Sequence, residues 1–461
     1  MLRLFDSAVG SVVDVQGNSG GAFSIYNCGP TVYDLPHLGH GRAVLTFDIL
    51  RRYLESVGVD VRHVSNVTDI DDKIIARAKE RGADPREIAA QYEEAWWKTT
   101  DLLGALRPHE APHATEWIDQ MVDIVSRLLG SGVAYRGDDG VYLEVEKVEG
   151  YGLLAQQPLA DLRHGARVEA ASFKRSPLDF VLWKFVSSDE IGWATPLGYG
   201  RPGWHTECVA MSTGLFGHTF DLHGGGLDLR FPHHENERAQ SVALGYPFAR
   251  HWMHHGFVEV GGAKMSKSLG NFVTMEEMVE KFDPRSYRLL VARAHYRSPL
   301  EVTSALAEDA VSTLARLDRF SLRLHELVAD DSVELCEVGV LQEFHREMRQ
   351  DLNTPVALAN LFRSVTEANT AFDLGEWVKA KSQAVEILSA LTALGLVTRN
   401  VEGVPLAVVQ RAQDRQRARE SGDWGTADRL RSEIAELGYL VEDGPQGFSL
   451  RRSDVVSSKK G

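Results

Sequence analysis

The sequence predicts an α/β protein: a Rossmann-like parallel sheet split by an insertion, followed by an α-helical bundle and a small C-terminal α+β domain. Three observations predict it. A strand–helix–strand pattern occupies residues 23–69, which makes a parallel βαβ unit. A second run of helix, strand and helix, rich in Gly and His, follows residue 200. Helical periodicity then takes over from Ser304 to about Leu396.

Taken in order, FSIYNCGPT (23–31) is β-branched or aromatic and reads as a strand ending near Cys28. After Pro36, the apolar residues Val44, Phe47, Leu50, Leu54 and Val57 recur every three or four positions, and Gly58 follows as a C-cap. That is an amphipathic helix, and VDVRHVSNVTD (59–69) is a second strand. Helical patterning runs from Asp72 to about Leu106 and from about Thr115 to Leu129. Asp69, Asp71 and Asp72 read as the acidic start of a helix, not as a metal cluster. The mixed stretch 133–200 reads as an insertion, after which GWHTECVAMSTGLFG, FDLHGGG and PHHENERAQSVALG resume as helix, strand and helix. HWMHHGFVEVGG is strand-like and leads into AKMSKSLGN. From about Leu406 the pattern is a helix, a hydrophobic turn and a hairpin-like segment, with a disordered tail VVSSKKG. The domain division expected is 1–118 and 201–258 for the two halves of the sheet domain, and 119–200 for a connective insertion. Residues 259–303 carry the lysine loop and a stem-contact region, 304–400 the bundle, and 401–461 the C-terminal domain.

Hydrophobic residues make up 43% and charged residues 25% of the 461 positions, the profile of a folded globular protein. No apolar run approaches the ~20 residues that span a bilayer. The N-terminus lacks a signal-peptide pattern, so no membrane partner and a cytoplasmic location are expected. Three cysteines, Cys28, Cys208 and Cys336, argue against a disulfide framework. Cys336, in a helical region, reads as a small buried hydrophobe. The net charge of −15 opposes nucleic-acid binding in general, but it is unevenly spread. Residues 406–461 hold ten Lys/Arg against nine Asp/Glu, leaving −16 on the rest, so the C-terminal end permits an RNA partner.

Two motifs carry phosphate chemistry. Pro36-His37-Leu38-Gly39-His40 follows a strand and opens a helix, where free N–H groups and a positive dipole end favour phosphate. Gly39 leaves room for a base, and the two histidines can donate to phosphate oxygens. A capped surface helix carrying two histidines would look the same, and the tetrapeptide alone is weak. Lys264-Met265-Ser266-Lys267-Ser268, flanked by glycines, suits a clamp on pyrophosphate. Two lysines alone would be a solvated loop, but the two motifs fall in order, one on each half of a split fold. PHLGH resembles the HIGH motif and KMSKS matches its companion letter for letter, so the chain resembles the class I aminoacyl-tRNA synthetases. The resemblance implies that His37, Gly39, His40, Lys264 and Lys267 bind ATP, with His37, His40, Lys264 and Lys267 catalytic. Nucleotidyltransferases sharing H-x-G-H are shorter and lack the bundle and tail.

Cys28 ends a strand, Cys208 lies on a helix, and His233 and Glu237 are four residues apart on one helical face. Two Cys, one His and one Glu can make a tetrahedral zinc site, although each residue alone reads more simply as structural. His205, His223, His234, His254 and His255 read as satisfied polar core residues. The segments CGPTVYDLPHLGHGR, NVTDIDDKI, RPGWHTEC, FDLHGGG, FPHHENE and KMSKSLGN, covering about residues 23–275, look like the cysteinyl-tRNA synthetase family. That resemblance implies one Zn2+ per chain on Cys28, Cys208, His233 and Glu237, with the substrate thiolate bound to the metal. It also implies a pocket lined by Gly29, Thr31, Thr68, Trp204 and Asp228. Trp204 could instead be core packing and Thr68 an N-cap. Pro30 departs from the family's usual branched apolar residue, with little expected effect. A thiolate is a soft ligand that a serine hydroxyl cannot replace, so no editing site is required.

The function implied is activation of L-cysteine by ATP with Mg2+ to cysteinyl-adenylate, then transfer to tRNA(Cys); a monomer is expected because no coiled-coil or strongly apolar surface stands out in the sequence. A cysteine ligase acting on an amino sugar, of the mycothiol type, shares this core but lacks the segment after the bundle. Here RQRARESGDWGTADRLRSEIAELGYLVEDGPQG resembles the family's anticodon-recognition end. A non-catalytic RNA-binding paralogue is opposed by the intact HLGH and KMSKS motifs.

Overall fold

The computed structural model describes residues 2–17, 21–157, 174–261, 263–264, 273–399, 406–444 and 447–452. Lys267 and the tail beyond residue 452 lie outside the described residues. Among the described residues no helix is long and apolar enough to cross a membrane. Two compact units result, residues 1–320 with 324–397, and residues 321–323 with 398–461.

In the larger unit the N-terminal hairpin, β1 (Arg3–Asp6) with β2 (Ser11–Asp14), precedes β3 (Phe23–Asn27). All five residues of β3 are buried, as a central strand of a parallel sheet requires. The helix α1 (Leu38–Ser56) crosses from β3 to β4 (Val61–Ser65), and Gly58 takes the positive φ of +80° that the chain reversal needs. The helical stretch expected from Asp72 to Leu106 is two helices, α2 (Asp72–Arg81) and α3 (Pro85–Leu102). Gly82 at φ +63° ends the first, and Pro85 opens the second because its missing N–H costs nothing in a first turn. Asp71 caps α2 through Lys73 N, whereas Asp69 accepts from Thr115 N and Oγ1 at 3.0 and 2.5 Å and so orients a later segment.

After α4 (Ile118–Gly130), a five-stranded antiparallel sheet forms from β5 (Ala134–Arg136), β6 (Gly140–Leu143), β7 (Phe180–Phe185), β8 (Trp193–Thr195) and β9 (Gly198–Pro202). The nucleotide-type sheet resumes with α5 (Trp204–Phe216), β10 (Thr219–Gly226), α6 (Glu235–Ala243) and β11 (Phe248–His255). Its order is β11-β10-β3-β4, with every pair parallel. The chain reverses direction across the sheet between β3 and β10, and ligands bind at the carboxyl ends beside such a reversal.

Three short strands follow, β12 (Val258–Val260), β13 (Ala263–Lys264) and later β14 (Leu300–Glu301), in the order β13-β12-β14. Between β13 and β14 lie α7 (Met275–Lys281) and α8 (Pro284–Arg293). The bundle is α9 (Ser304–Ala329), α10 (Val340–Met348), α11 (Thr354–Asp373) and α12 (Trp377–Ala393), and its buried residues join those of α1 in one core. Cys336 is exposed, not buried: it sits in the loop between α9 and α10, where the helix has already ended.

In the smaller unit the single helix expected after Leu406 is two, α13 (Leu406–Glu420) and α14 (Trp424–Glu436), broken at Gly422 with φ +78°. They pack on the hairpin β15 (Tyr439–Gly444) with β16 (Gly447–Arg452) around Val408, Ala412, Ile434 and Tyr439.

One buried charge fixes α1. Asp48, 2% exposed, accepts from Arg288 Nη1 at 2.5 Å, Arg52 Nε at 2.9 Å and Leu106 N at 2.7 Å. Removing one partner strands the buried Arg288. Asp48→Ala should therefore lower unfolding free energy by roughly 3–5 kcal/mol in urea melts, whereas a loss under about 1 kcal/mol would reject this role.

Candidate functional site

Four chain segments converge beside the reversal point. Cys28 is the first residue past β3, and its N–H donates to Gly224 O at the end of β10 at 3.2 Å. Cys208 is buried on α5, which starts where Gly203 presses on β7: a Cβ at Gly203 would lie 2.1 Å from Val181 O. His233 lies in an irregular turn (Arg230–His234), with Phe231 at φ −142° and ψ 131°, and Glu237 lies one turn on in α6.

The donor atoms of Cys28, Cys208, His233 and Glu237 all lie within 4.8 Å of one another. The distances are 3.7 Å between the two Sγ atoms, 3.7 Å from Cys208 Sγ to His233 Nε2, and 3.6 Å from Cys28 Sγ to Glu237 Oε1. A tetrahedron with zinc–ligand bonds of usual length has S···S edges of ~3.8 Å and S···N or S···O edges of ~3.6 Å. The donor set fits a zinc ion in type and in spacing. The His233 Nε2 to Glu237 Oε1 distance, 2.8 Å, is clearly shorter than the ~3.3 Å expected of an N···O edge, as a direct hydrogen bond would be.

The electrostatics favour a cation. Burial pushes the Cys28 thiol well up, while the hydrogen bond from Cys28 pulls Cys208 down to about 6. Burial opposes charge on His233, yet Glu237 and Cys208 outweigh it and raise it to about 10. Burial likewise opposes charge on Glu237, but His233 and His223 hold it well below the usual carboxylate range. His205 Nδ1 sits 2.8 Å from His233 Nδ1, which leaves the Nε2 of His233 toward Cys208 and Glu237.

The histidines read from the sequence as core residues make a second layer. His223 Nε2 lies 2.6 Å from Glu237 Oε2, and His234 Nε2 lies 3.3 Å from Cys28 Sγ. His234 continues to His254 at 2.8 Å, and His254 to Ser7 Oγ at 2.7 Å. Cys28, His223, His234 and Glu237 form a second group within 4.8 Å, with one sulfur instead of two. His255 stands apart, with Nδ1 donating to Gly256 O and its ring edge-on to Phe47.

The residues expected to line the pocket fall in two places. A Cβ at Gly29 would lie 1.7 Å from Asn66 O, so only glycine fits, and its N–H donates to Asn66 Oδ1 at 2.9 Å. Thr31 and Thr68 bridge as parallel partners, stitching the loop after β3 to the loop after β4. Thr68 is not an N-cap: its hydroxyl donates to Glu207 Oε2 at 2.9 Å. Trp204, 37% exposed, is not core; its ring stacks on His233 at 3.9 Å between centroids. Trp204 and Glu207 border a cavity of about 140 Å³ with Asp71, Lys184 and Arg201. Burial drives the Glu207 carboxyl well above its usual range. Asp228 is exposed on the turn after β10, against Gly226.

The motif histidines cap α1. His37 is the N-cap, and His40 N donates to His37 Nδ1 while His37 N donates to His40 Nδ1, both at 3.3 Å. Their rings stack 3.6 Å apart. Two imidazoles thus form a reciprocal capping box at the phosphate-favouring end of the helix. The backbone of Lys264 lies in β13.

Residues 15–312 match the family described as tRNA synthetases class I (C) catalytic domain. A cysteine–tRNA ligase of Aromatoleum aromaticum is 42% identical over 94% of this chain and 96% of the relative. The chain belongs to the cysteine–tRNA ligase family. A cysteine–tRNA ligase of Nitrosomonas eutropha is 41% identical over 98% of this chain and 100% of its own length. Residues 343–398 match the DALR domain, and residues 413–451 the cysteinyl-tRNA ligase anticodon binding domain. Methionyl-tRNA synthetase of Mycobacterium tuberculosis in complex with methionyl-adenylate superposes with TM-score 0.60 at 15% identity, over 81% of this chain and 90% of that one. That likeness is one of fold, and it agrees with the split parallel sheet expected from the sequence.

The pKa pattern gives the site a pH signature. Metal binding needs His233 neutral and both cysteines as thiolates. Below pH ~8, His233 and the Cys28 thiol are both protonated. At least two protons then leave for each cation bound, so apparent zinc affinity should climb by roughly 100-fold per pH unit between about pH 6 and 8. Chelator competition measures it, and a pH-independent affinity would contradict the assignment.

Proposed function

We propose that this chain activates L-cysteine with ATP and Mg2+ to enzyme-bound cysteinyl-adenylate, releases pyrophosphate, and transfers the cysteinyl group to tRNA(Cys). Family membership supports the reaction, and the Cys28–Cys208–His233–Glu237 cluster carries the choice of amino acid. We assign these four residues as the ligands of one Zn2+. Zinc held there supplies a soft cation for which a thiolate is a better ligand than a hydroxyl.

The chain's own residues do the rest. Gly29 lets the loop after β3 pack directly on the Asn66 backbone, and Asn66 fixes its N–H beside the amino-acid pocket. Trp204, stacked on His233, and Thr68, tied to Glu207, wall the amino-acid pocket with Thr31 and Asp228. The first turn of α1, with His37, Gly39 and His40, receives the triphosphate, and Lys264 and Lys267 neutralise charge as the α-phosphate is attacked by the cysteine carboxylate. This is phosphoryl chemistry by positioning and charge stabilisation, without a protein nucleophile.

We assign residues 401–461 to anticodon recognition, a reading supported by the match over 413–451 and by the arginines of α13, Arg411, Arg415, Arg417 and Arg419. Residues 1–118 and 201–258 serve as the catalytic halves, 119–200 as the connective insertion, 259–303 as the lysine loop and stem contact, and 304–400 as the bundle. The enzyme acts as a cytoplasmic monomer.

Pyrophosphate exchange with cysteine, followed by charging of bulk tRNA, tests the reading. Exchange without charging would favour the amino-sugar ligase, and no exchange would favour a non-catalytic paralogue. Cys208→Ser should lose bound zinc and drop cysteine-dependent exchange by roughly 10³-fold or more, since metal and substrate sulfur share one site. Loss of zinc with cysteine-over-serine preference intact would refute the metal-reading account.

A further inference from the structure

Arg42 is 1% exposed, two residues past His40 on α1. Its guanidinium donates to four main-chain carbonyls: Phe257 O at 2.6 Å, Tyr296 O at 2.9 Å, His295 O at 3.4 Å, and Ser298 O. Burial lowers its pKa to about 10, so keeping a cation there is costly. The carbonyls it holds are placed with purpose. Phe257 immediately precedes β12, and Ser298 lies two residues before β14. β12 pairs with both β14 and β13, and β13 ends at Lys264. Beyond the lysine motif, the chain returns to the same helix start. Thr274 bridges His37, Met275 N donates to Pro36 O at 2.8 Å, Leu38 N donates to Val273 O at 3.3 Å, and Tyr287 Oη donates to Leu38 O at 2.5 Å.

We infer that Arg42 is a positioning residue for adenylate formation: its fork fixes the small sheet β13-β12-β14 against the first turns of α1, and so sets the spacing of the two nucleotide motifs. This rests on the ATP-dependent reading above. A planar five-donor fork fixes both distance and angle between the two segments, which an apolar side chain or a point-charge ammonium cannot do. Gly256 belongs to the same frame, because a Cβ there would stand 2.5 Å from Ser298 O and push that carbonyl away.

The test uses the full-length enzyme loaded with zinc. Arg42→Lys keeps the charge and loses the fork, and Gly256→Ala displaces a carbonyl without touching the cation. Each should lower kcat for pyrophosphate exchange per active site by roughly 10- to 100-fold, as expected for slight misplacement of reacting groups. The KM for cysteine and the zinc content should stay within about twofold, because the metal cluster lies on other elements. The double variant should be little worse than the poorer single one, since both act through one contact. If Arg42 merely satisfies buried carbonyls, active-site titration will show fewer competent sites with unchanged turnover per site. That result, or normal turnover in Gly256→Ala should Arg42→Lys not fold, overturns the inference. An unmutated enzyme without exchange would instead defeat the functional reading itself.

Discussion

Two thiols, an imidazole and a carboxylate are crowded into one crevice, three of them fully buried. Without a cation they compete for protons: Cys208 is driven toward its thiolate, Cys28 toward its thiol, and His233 is kept charged to balance Glu237. A divalent ion would resolve all four demands at once, because each donor would then take its metal-binding state. The surrounding structure makes sense as a device for holding this otherwise unfavourable set together. The parallel sheet brings the ends of β3 and β10 side by side, α5 and α6 enter from the second half of the fold, and His205, His223 and His234 brace the donors from behind.

The same constraint links specificity to catalysis. The loop carrying Cys28 continues through Gly29 and Thr31 into Pro36 and the imidazole capping box of α1. On the function proposed above, a substrate held by its sulfur at one end of this segment would present its carboxylate toward the helix start where phosphate is favoured. α1 is itself clamped by charges, Asp48 to Arg288 on one face and Arg42 to the strands beside the lysine motif on another. Buried ions are poor sources of stability, but they are exacting about geometry.

Local features were legible in the sequence where a local rule governs them. The period of Val44, Phe47, Leu50 and Leu54 gave α1, and the buried β-branched and aromatic run gave β3. Other features depend on competition between rules. Apolar periodicity continues across Gly82 and Pro85, so the α2–α3 break was hidden by a pattern that both helices share. The segment after Leu406 was read as one helix although Gly422 ends the first of two, and Cys336 was read as buried although its helix ends seven residues earlier. The donor cluster joins residues up to 209 positions apart, and no spacing rule reaches that far. Resemblance brought the four together, while the supporting layer of His223 and His234, and the long-range roles of Arg42 and Asp48, became visible only in three dimensions.

On the function proposed above, this cluster holds zinc and reads the substrate through sulfur. X-ray absorption at the zinc edge of the loaded enzyme tests it most directly. Two sulfur neighbours at ~2.3 Å are expected in the free enzyme, three after addition of cysteine, and still two after addition of serine. A sulfur count that does not change with cysteine, or a metal with fewer than two protein sulfurs, would contradict it.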